Sequence, residues 1–292
     1  MGAWGEKGDL GSESAKIGVL LEWSPSAYSR TLRSHLEAEA SRQGLTLSFV
    51  GVHWSSASSE GDDEVEETLA AAQSCAGMIL LSGVFSHRLH GLSRFAQNYA
   101  PKPLVSIGYR LAAVPSIVVD NRLGMQLAVG HLIGVHGRRK LLFIRGRKDS
   151  QEAEDRYLGF RHGLRENSIL HEEKRILQGD FTRTGALRAL GELDPSIEFD
   201  GIVAANDDMA LAVLADLRRR GIDVPGSVAV LGFDDLPEAA RASVPLTTLA
   251  QPFESLAKEA LATIRKLIRG ESVPGVQAVP VTLRVRQSCG CS

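Results

Sequence analysis

Between Val203 and Asp235 the chain reads VAANDDMALAVLADLRRRGIDVPGSVAVLGFDD. A short apolar strand ends in polar residues, a helix follows, and a second apolar strand ends in Asp234-Asp235. Met209, Leu211, Val213, Leu214 and Leu217 recur with the helical period. Arg218, Arg219 and Arg220 fall in the last turn, where cations offset the negative end of the helix dipole. Gly221, lacking a Cβ, suits a left-handed stop. Asn206 or Asp207 can cap the amino end by accepting an orphan backbone N–H. Capping accounts for one of the two and leaves the other, with Asp234, at the carboxyl ends of strands, where open α/β sheets bind ligands. The segment therefore predicts a binding site, and it contains no nucleophile–base pair.

The same alternation runs through the chain. Apolar runs at residues 17–21, 45–52, 77–81, 103–107, 117–119, 141–144, 175–177 and 246–249 are separated by helical patterns at 29–43, 123–135, 155–164, 184–193 and 253–268. An acidic stretch at 62–67 opens another helix, with carboxylates at its positive end. Residues 279–285 read as a closing edge strand. Continuous apolar strands between helices predict an α/β fold of parallel sheets covered on both faces. About eleven such strands are many for one sheet with crossover helices, so two doubly wound lobes are expected. The chain's 292 residues suffice for both.

A net charge of −2 implies no general attraction to nucleic acid or anionic membrane. No run approaches the roughly 18 apolar residues that a membrane span needs. The first residues, MGAWGEKGDLGSESAK, lack the apolar core of a secretory signal. Residues 1–15 read as a flexible leader and the protein as cytoplasmic. Three cysteines fit a reducing compartment.

Gly-x-Gly-x-x-Gly after the first strand, the phosphate-binding loop, His-Glu-x-x-His and Gly-x-Ser-x-Gly are all missing, so neither an enzyme nor a cofactor is expected. His131 and His136, five apart on a helix, read as surface or packing residues. Cys289 and Cys291 lie beyond the last strand without evident His or Cys partners, so no metal site is expected. The basic clusters 138–140 and 145–148 lack interleaved aromatics and read as a solvated rim.

Seven segments, in order, carry a resemblance to a known family: KIGVLLEWSPSAYSRTLRSHLEAEASRQG, AGMILLS, VPSIVVDNRLGMQLAVGHL, DRYLGFRHGL, GDFTRTGALRAL, the 203–235 segment with its flanking FDGI, and PLTTLAQPFESLAKEAL. Together they resemble the effector-binding core of the lactose/galactose repressor (LacI/GalR) family, itself similar to periplasmic sugar-binding proteins. The resemblance implies two lobes joined by three crossovers near Gly137, Gln251 and Gly275. Lobe one would hold 16–138 and 250–275, and lobe two 139–249 and 276–288.

The resemblance also implies a small polar effector, a sugar or derivative, held in the cleft between lobes. Arg156 in DRYLGF matches the family's ligand-gripping arginine, whose donors fork onto hydroxyls or a carboxylate. Phe181 matches the aromatic that lies against a flat ligand face. Asn206 and Asp234 match polar strand-end contacts, and Asp207 is then the cap. Asp120 and Gln251 lie at matching positions, with Tyr28 at the mouth; for these three, a strand-end or hinge role stands beside the binding role.

A homodimer is implied as well, while DNA would be reached only through a helix-turn-helix or output module absent from this stretch. The alternative function is a solute-binding protein for sugar uptake. Two departures bear on the ligand and the helix end: Ser150-Gln151-Glu152 replaces the commoner Ser/Thr contact region, and His136-Gly137 reverses the usual Gly-His.

Overall fold

A computed structural model describes residues 16–22, 26–52, 61–81 and 89–291. The expected leader, residues 1–15, lies outside the described residues. The chain begins with β1 (Ile17–Glu22), α1 (Ala27–Arg42), β2 (Leu47–Val52), α2 (Gly61–Ala72), β3 (Gly77–Leu81), α3 (Leu89–Tyr99), β4 (Leu104–Ile107) and β5 (Ser116–Val119). It continues through α4 (Asn121–Gly134), β6 (Leu141–Arg145), α5 (Gln151–Glu166), β7 (Ile176–Gln178), α6 (Arg183–Gly191), β8 (Gly201–Ala204), α7 (Asp207–Arg219) and β9 (Ala229–Asp234). The last elements are α8 (Pro237–Arg241), β10 (Thr247–Ala250), α9 (Phe253–Ile268), β11 (Val276–Val279) and β12 (Thr282–Arg284).

The strands form two six-stranded sheets, ordered β11-β5-β4-β3-β1-β2 and β12-β10-β9-β8-β6-β7. The pairings from β2 to β5 and from β7 to β10 are parallel. β3, β4, β8 and β9 are buried at every residue, because helices cover both faces of a parallel sheet. This α/β, doubly wound arrangement is the one the alternation predicts.

The first compact unit comprises residues up to Val118 plus Phe253–Val279. α9 lies beside α1 and over β3 and β4, and buries Leu256, Leu261 and Ile264 completely. Each such side chain contributes about 1.5–3 kcal/mol relative to exposure. The second unit comprises Val119–Pro252 and Pro280–Ser292. Here α4 packs along α5, and α6 along α7.

The first boundary thus falls at Val118–Val119 and not near Gly137. The helical period of residues 123–135 shows that α4 buries a face but not against what, and its partner is α5. Two glycines permit the approach: a Cβ on Gly159 would lie 2.4 Å from the Arg122 carbonyl oxygen, and one on Gly163 would lie 2.7 Å from Val129 Cβ. The third boundary falls at Val279–Pro280, beyond the expected Gly275. Gly275 stays with the first unit because its carbonyl accepts from Ser116 N–H at 2.9 Å.

The closing strand is also divided. β11 extends the first sheet beside β5, while β12 pairs antiparallel with β10 in the second. Pro280, lacking an N–H, cannot continue a ladder. The sequence pattern predicts neither α3 nor α8, and five-residue α8 is too short to display a period.

Candidate ligand-binding site

Within the second unit, the carboxyl ends of β6 to β10 converge on Arg156, which is 3% exposed. α5 begins at the Ser150 cap, whose side chain accepts from Ala153 N–H, and delivers Arg156 from its second turn. Arg156 Nε donates to Asn121 Oδ1 at 2.8 Å, and NH1 donates to the Ala205 carbonyl at 2.6 Å. The guanidinium lies 3.8 Å from the Phe233 ring centroid and 5.6 Å from that of Phe181. A buried cation with fixed hydrogen bonds and an aromatic face is pre-oriented, as recognition of a polar ligand requires.

Asp234, also 3% exposed, places Oδ1 3.8 Å from Arg156 NH1. Gln251 Nε2 donates to the same oxygen at 3.1 Å. Burial pushes the Asp234 carboxyl up to about 8, against the opposing pull of Arg156. Asp207 raises it further, while the Gln251 hydrogen bond acts the other way. The Gln251 Oε1 is buried and has no hydrogen-bond partner among the described residues.

The strand ends are bent to make this arrangement. Asp180 and Phe181, after β7, have φ of 58° and 62°, and Asp234 and Asp235, at the end of β9, have φ of 129° and 58°. Such values are uncommon for residues with a Cβ and cluster at ligand clamps. Phe181 lies on Gly146, just after β6, where a Cβ would come within 2.1 Å of the ring. Asn206 Nδ2 donates to the Phe181 carbonyl at 3.1 Å and holds that bend in place.

Asn206 is also the amino cap of α7, its Oδ1 accepting from Met209 N–H at 3.0 Å. The expected assignment of the cap to Asp207 is therefore corrected. Asp207 is wholly buried, and its carboxylate accepts from Thr248 Oγ1 at 2.6 Å and Leu236 N–H at 2.8 Å. Its side chain points across to β10 instead of back along its own helix. Burial pushes its carboxyl up to about 6, with these two hydrogen bonds opposing.

Asp120 caps α4, accepting from Leu123 N–H at 3.1 Å. Tyr28 belongs to the first unit, with its ring 5.5 Å from that of Phe253. Asn121, next to Asp120 in the VVDN motif, joins the site without having been expected from the sequence. It is 3% exposed and orients Arg156. A buried asparagine at a helix start carries no sequence signal of its own, since caps use the same residue type.

The periplasmic binding protein-like domain family matches residues 129–289. The chain belongs to that family. Within it, the chain is a LacI-type effector-binding domain, as its relatives show. It is 33% identical over 226 residues to the HTH-type transcriptional regulator CelR of Thermobifida fusca, covering 75% of this chain and 64% of CelR. It is 28% identical over 260 residues to the ribose operon repressor of Bacillus subtilis (strain 168), covering 88% of this chain and 75% of that repressor.

Among solved structures, a CelR–cellobiose complex superposes with a TM-score of 0.82 at 27% identity, covering 94% of this chain and 84% of that one. The lac repressor dimer bound to operator and an anti-inducer has the same TM-score at 22% identity, covering 96% and 82%, and shows the shared fold. The chain spans less than two thirds of the length of CelR. Among the described residues, no helix of this LacI-type domain is long and apolar enough to cross a membrane.

Proposed function

We propose that this LacI-type domain senses a small polar effector, a sugar or sugar derivative, held against the carboxyl ends of the second sheet. The observation that carries the reading is Arg156, a buried guanidinium fixed by Asn121 and Ala205 beside Asp234 and Gln251. The guanidinium and the Gln251 amide supply donors, while Asp234 and the Gln251 Oε1, unpartnered among the described residues, supply acceptors. Vicinal hydroxyls, each both donor and acceptor, match this mixture. Phe181 offers an apolar face for the flat side of a sugar ring. The solved CelR complex contains cellobiose, which supports the same ligand class here.

Asn206 acts on the ligand through Phe181 and through its own remaining amide groups. Asp120 and Tyr28 enter the site on the resemblance alone. The effector works as a signal because it favours one conformation of the chain over another; equal affinity for both would shift nothing. The output is transcriptional, through a DNA-binding part outside this stretch and a homodimeric assembly.

A thermal-shift screen of mono- and disaccharides tests the reading. Ligand at a hundredfold excess over Kd adds about 2.7 kcal/mol. Arg156→Ala and Asp234→Ala are expected to fold yet lose the shift. A shift retained in both variants would remove the site from this sheet edge.

A further inference from the structure

Four donors with no place in the effector site meet at the other end of the second unit. His131 lies in the last turn of α4, and His136 follows two residues beyond its end. Cys289 and Cys291 close the chain, around a short 3-10 turn at Gln287–Cys289. Neither pair has a metal-ligating partner near it in sequence; the tertiary fold supplies each pair to the other. One ligand atom from each of the four residues falls within a cluster no more than 4.8 Å across.

Four of the six pairwise distances are close to those of a coordination shell. The two histidine Nε2 atoms are 3.3 Å apart. Cys289 Sγ lies 3.4 Å from His131 Nε2, and Cys291 Sγ lies 3.3 Å from His136 Nε2 and 3.8 Å from His131 Nε2. A tetrahedral zinc ion with Zn–N near 2.05 Å and Zn–S near 2.3 Å sets its ligands about 3.4 Å apart for N···N and about 3.6 Å for N···S. These four separations scatter around those values, and the cluster's full spread of 4.8 Å requires its widest pair to close by about 1 Å as the ion binds. We propose that His131, His136, Cys289 and Cys291 form a structural zinc site.

The surrounding backbone holds the donors in place. Gly290, between the two cysteines, has φ of 114°, and a Cβ there would stand 2.9 Å from His136 Nδ1. Only glycine both adopts that conformation readily and leaves room for the imidazole. Ser288 is fully buried; its hydroxyl donates to the Val230 carbonyl at 2.6 Å and accepts from Thr247 N–H at 2.8 Å. These bonds anchor the turn to β9 and β10 before any ion arrives. Cys289 is wholly buried, while the other three ligands are partly exposed, which leaves an entry path.

Two thiolates and two imidazoles form a tetrahedral S2N2 set that selects zinc over hard cations such as magnesium or calcium. Because all four positions are filled by protein, the ion has no open position for catalysis and serves to hold structure. What it holds is the chain's last turn against the end of α4, across a separation of 158 residues.

The test uses the whole chain, purified under reducing conditions without chelator. Elemental analysis is expected to find one zinc per chain, and cobalt exchanged into the site to show the intense ligand-field bands of a tetrahedral dithiolate centre. Cys291→Ser and His136→Gln alter partly exposed positions and leave the buried Cys289 in place. Loss of even an outer partner weakens metal affinity about 10–100-fold, so each variant is expected to lose at least that much in competition with a chromophoric chelator. Chelator should lower the Tm of the wild-type chain and not that of the variants. A folded, reduced chain that binds zinc no better than these variants would overturn the proposal, as would octahedral cobalt. A Cys289–Cys291 disulfide formed in place of metal binding would also overturn it.

Discussion

Arg156 is aimed by Asn121, whose side-chain oxygen accepts the Nε–H at 2.8 Å across 35 residues of sequence. The contact joins the start of α4 to the second turn of α5. It converts a helix-surface residue type into a buried, oriented donor. Asn121→Ala leaves Nε buried without that acceptor, which costs about 1–3 kcal/mol. Chemical denaturation is expected to show that loss, and thermal shift to show weaker stabilisation by any sugar that stabilises the parent chain.

Asp207 serves the fold through two accepted hydrogen bonds, from Thr248 Oγ1 and Leu236 N–H. An amide in its place retains one oxygen and turns its NH2 toward the other donor. Asp207→Asn is therefore expected to lose about 1–3 kcal/mol, measured by urea unfolding, although the amide removes the burial penalty on the charge. An unchanged midpoint would show that the strand end tolerates a neutral side chain.

Asp234 predicts a pH dependence. Its folded carboxyl is raised from 3.8 to about 8 by burial, so the folded state binds the proton more tightly than the unfolded state. Its contribution to stability is fully present below about pH 4 and is lost as pH rises toward 8. Unfolding of the ligand-free chain at successive pH values should show this decline, and Asp234→Asn should remove its upper part, between about pH 6 and 8, leaving the part below pH 6 that the raised Asp207 carboxyl contributes. A sugar whose hydroxyls require the ionised carboxylate binds more tightly as pH rises over the same window, and the amide variant should lose that slope as well.

The α4–α5 contact depends on Gly159, where a Cβ would press on the Arg122 carbonyl. Gly159→Val is expected to destabilise by about 1–3 kcal/mol or more through overpacking. Gly130, also in α4, has nothing within 4 Å of a built Cβ. Gly130→Ala is expected to stabilise by about 0.5–1 kcal/mol, since the site is open and alanine is the better helix former. Calorimetry of the two variants separates close packing from backbone entropy.

Much of the architecture was legible because it follows from local chemistry. Residues 77–81 read as a strand, and 253–268 as a helix, from patterns that neighbouring residues set by themselves. The polar strand ends at Asn206 and Asp234 were visible for the same reason, whereas Arg156 stood out only through the family resemblance of its motif, since local pattern marks it as an ordinary helix arginine. The partner of α4 was not legible: an apolar face shows that a helix packs, not what it packs on. Nor could the spacing of Asn206 and Asp207 decide which one caps α7, because both residue types cap well. Their roles separate only when Thr248 and Leu236 arrive beside Asp207.

By itself, then, the sequence determined an alternating α/β chain with two sheets' worth of strands and polar groups at strand ends. Only the tertiary structure decided that α4 joins the second unit, that Asn121 orients Arg156, and that His131 and His136 meet Cys289 and Cys291. The reason is physical. Periodicity, capping and turns depend on residues a few positions apart. Encounters across 35, 41 or 158 residues depend on the order in which strands cross over into their sheets, which no local pattern encodes.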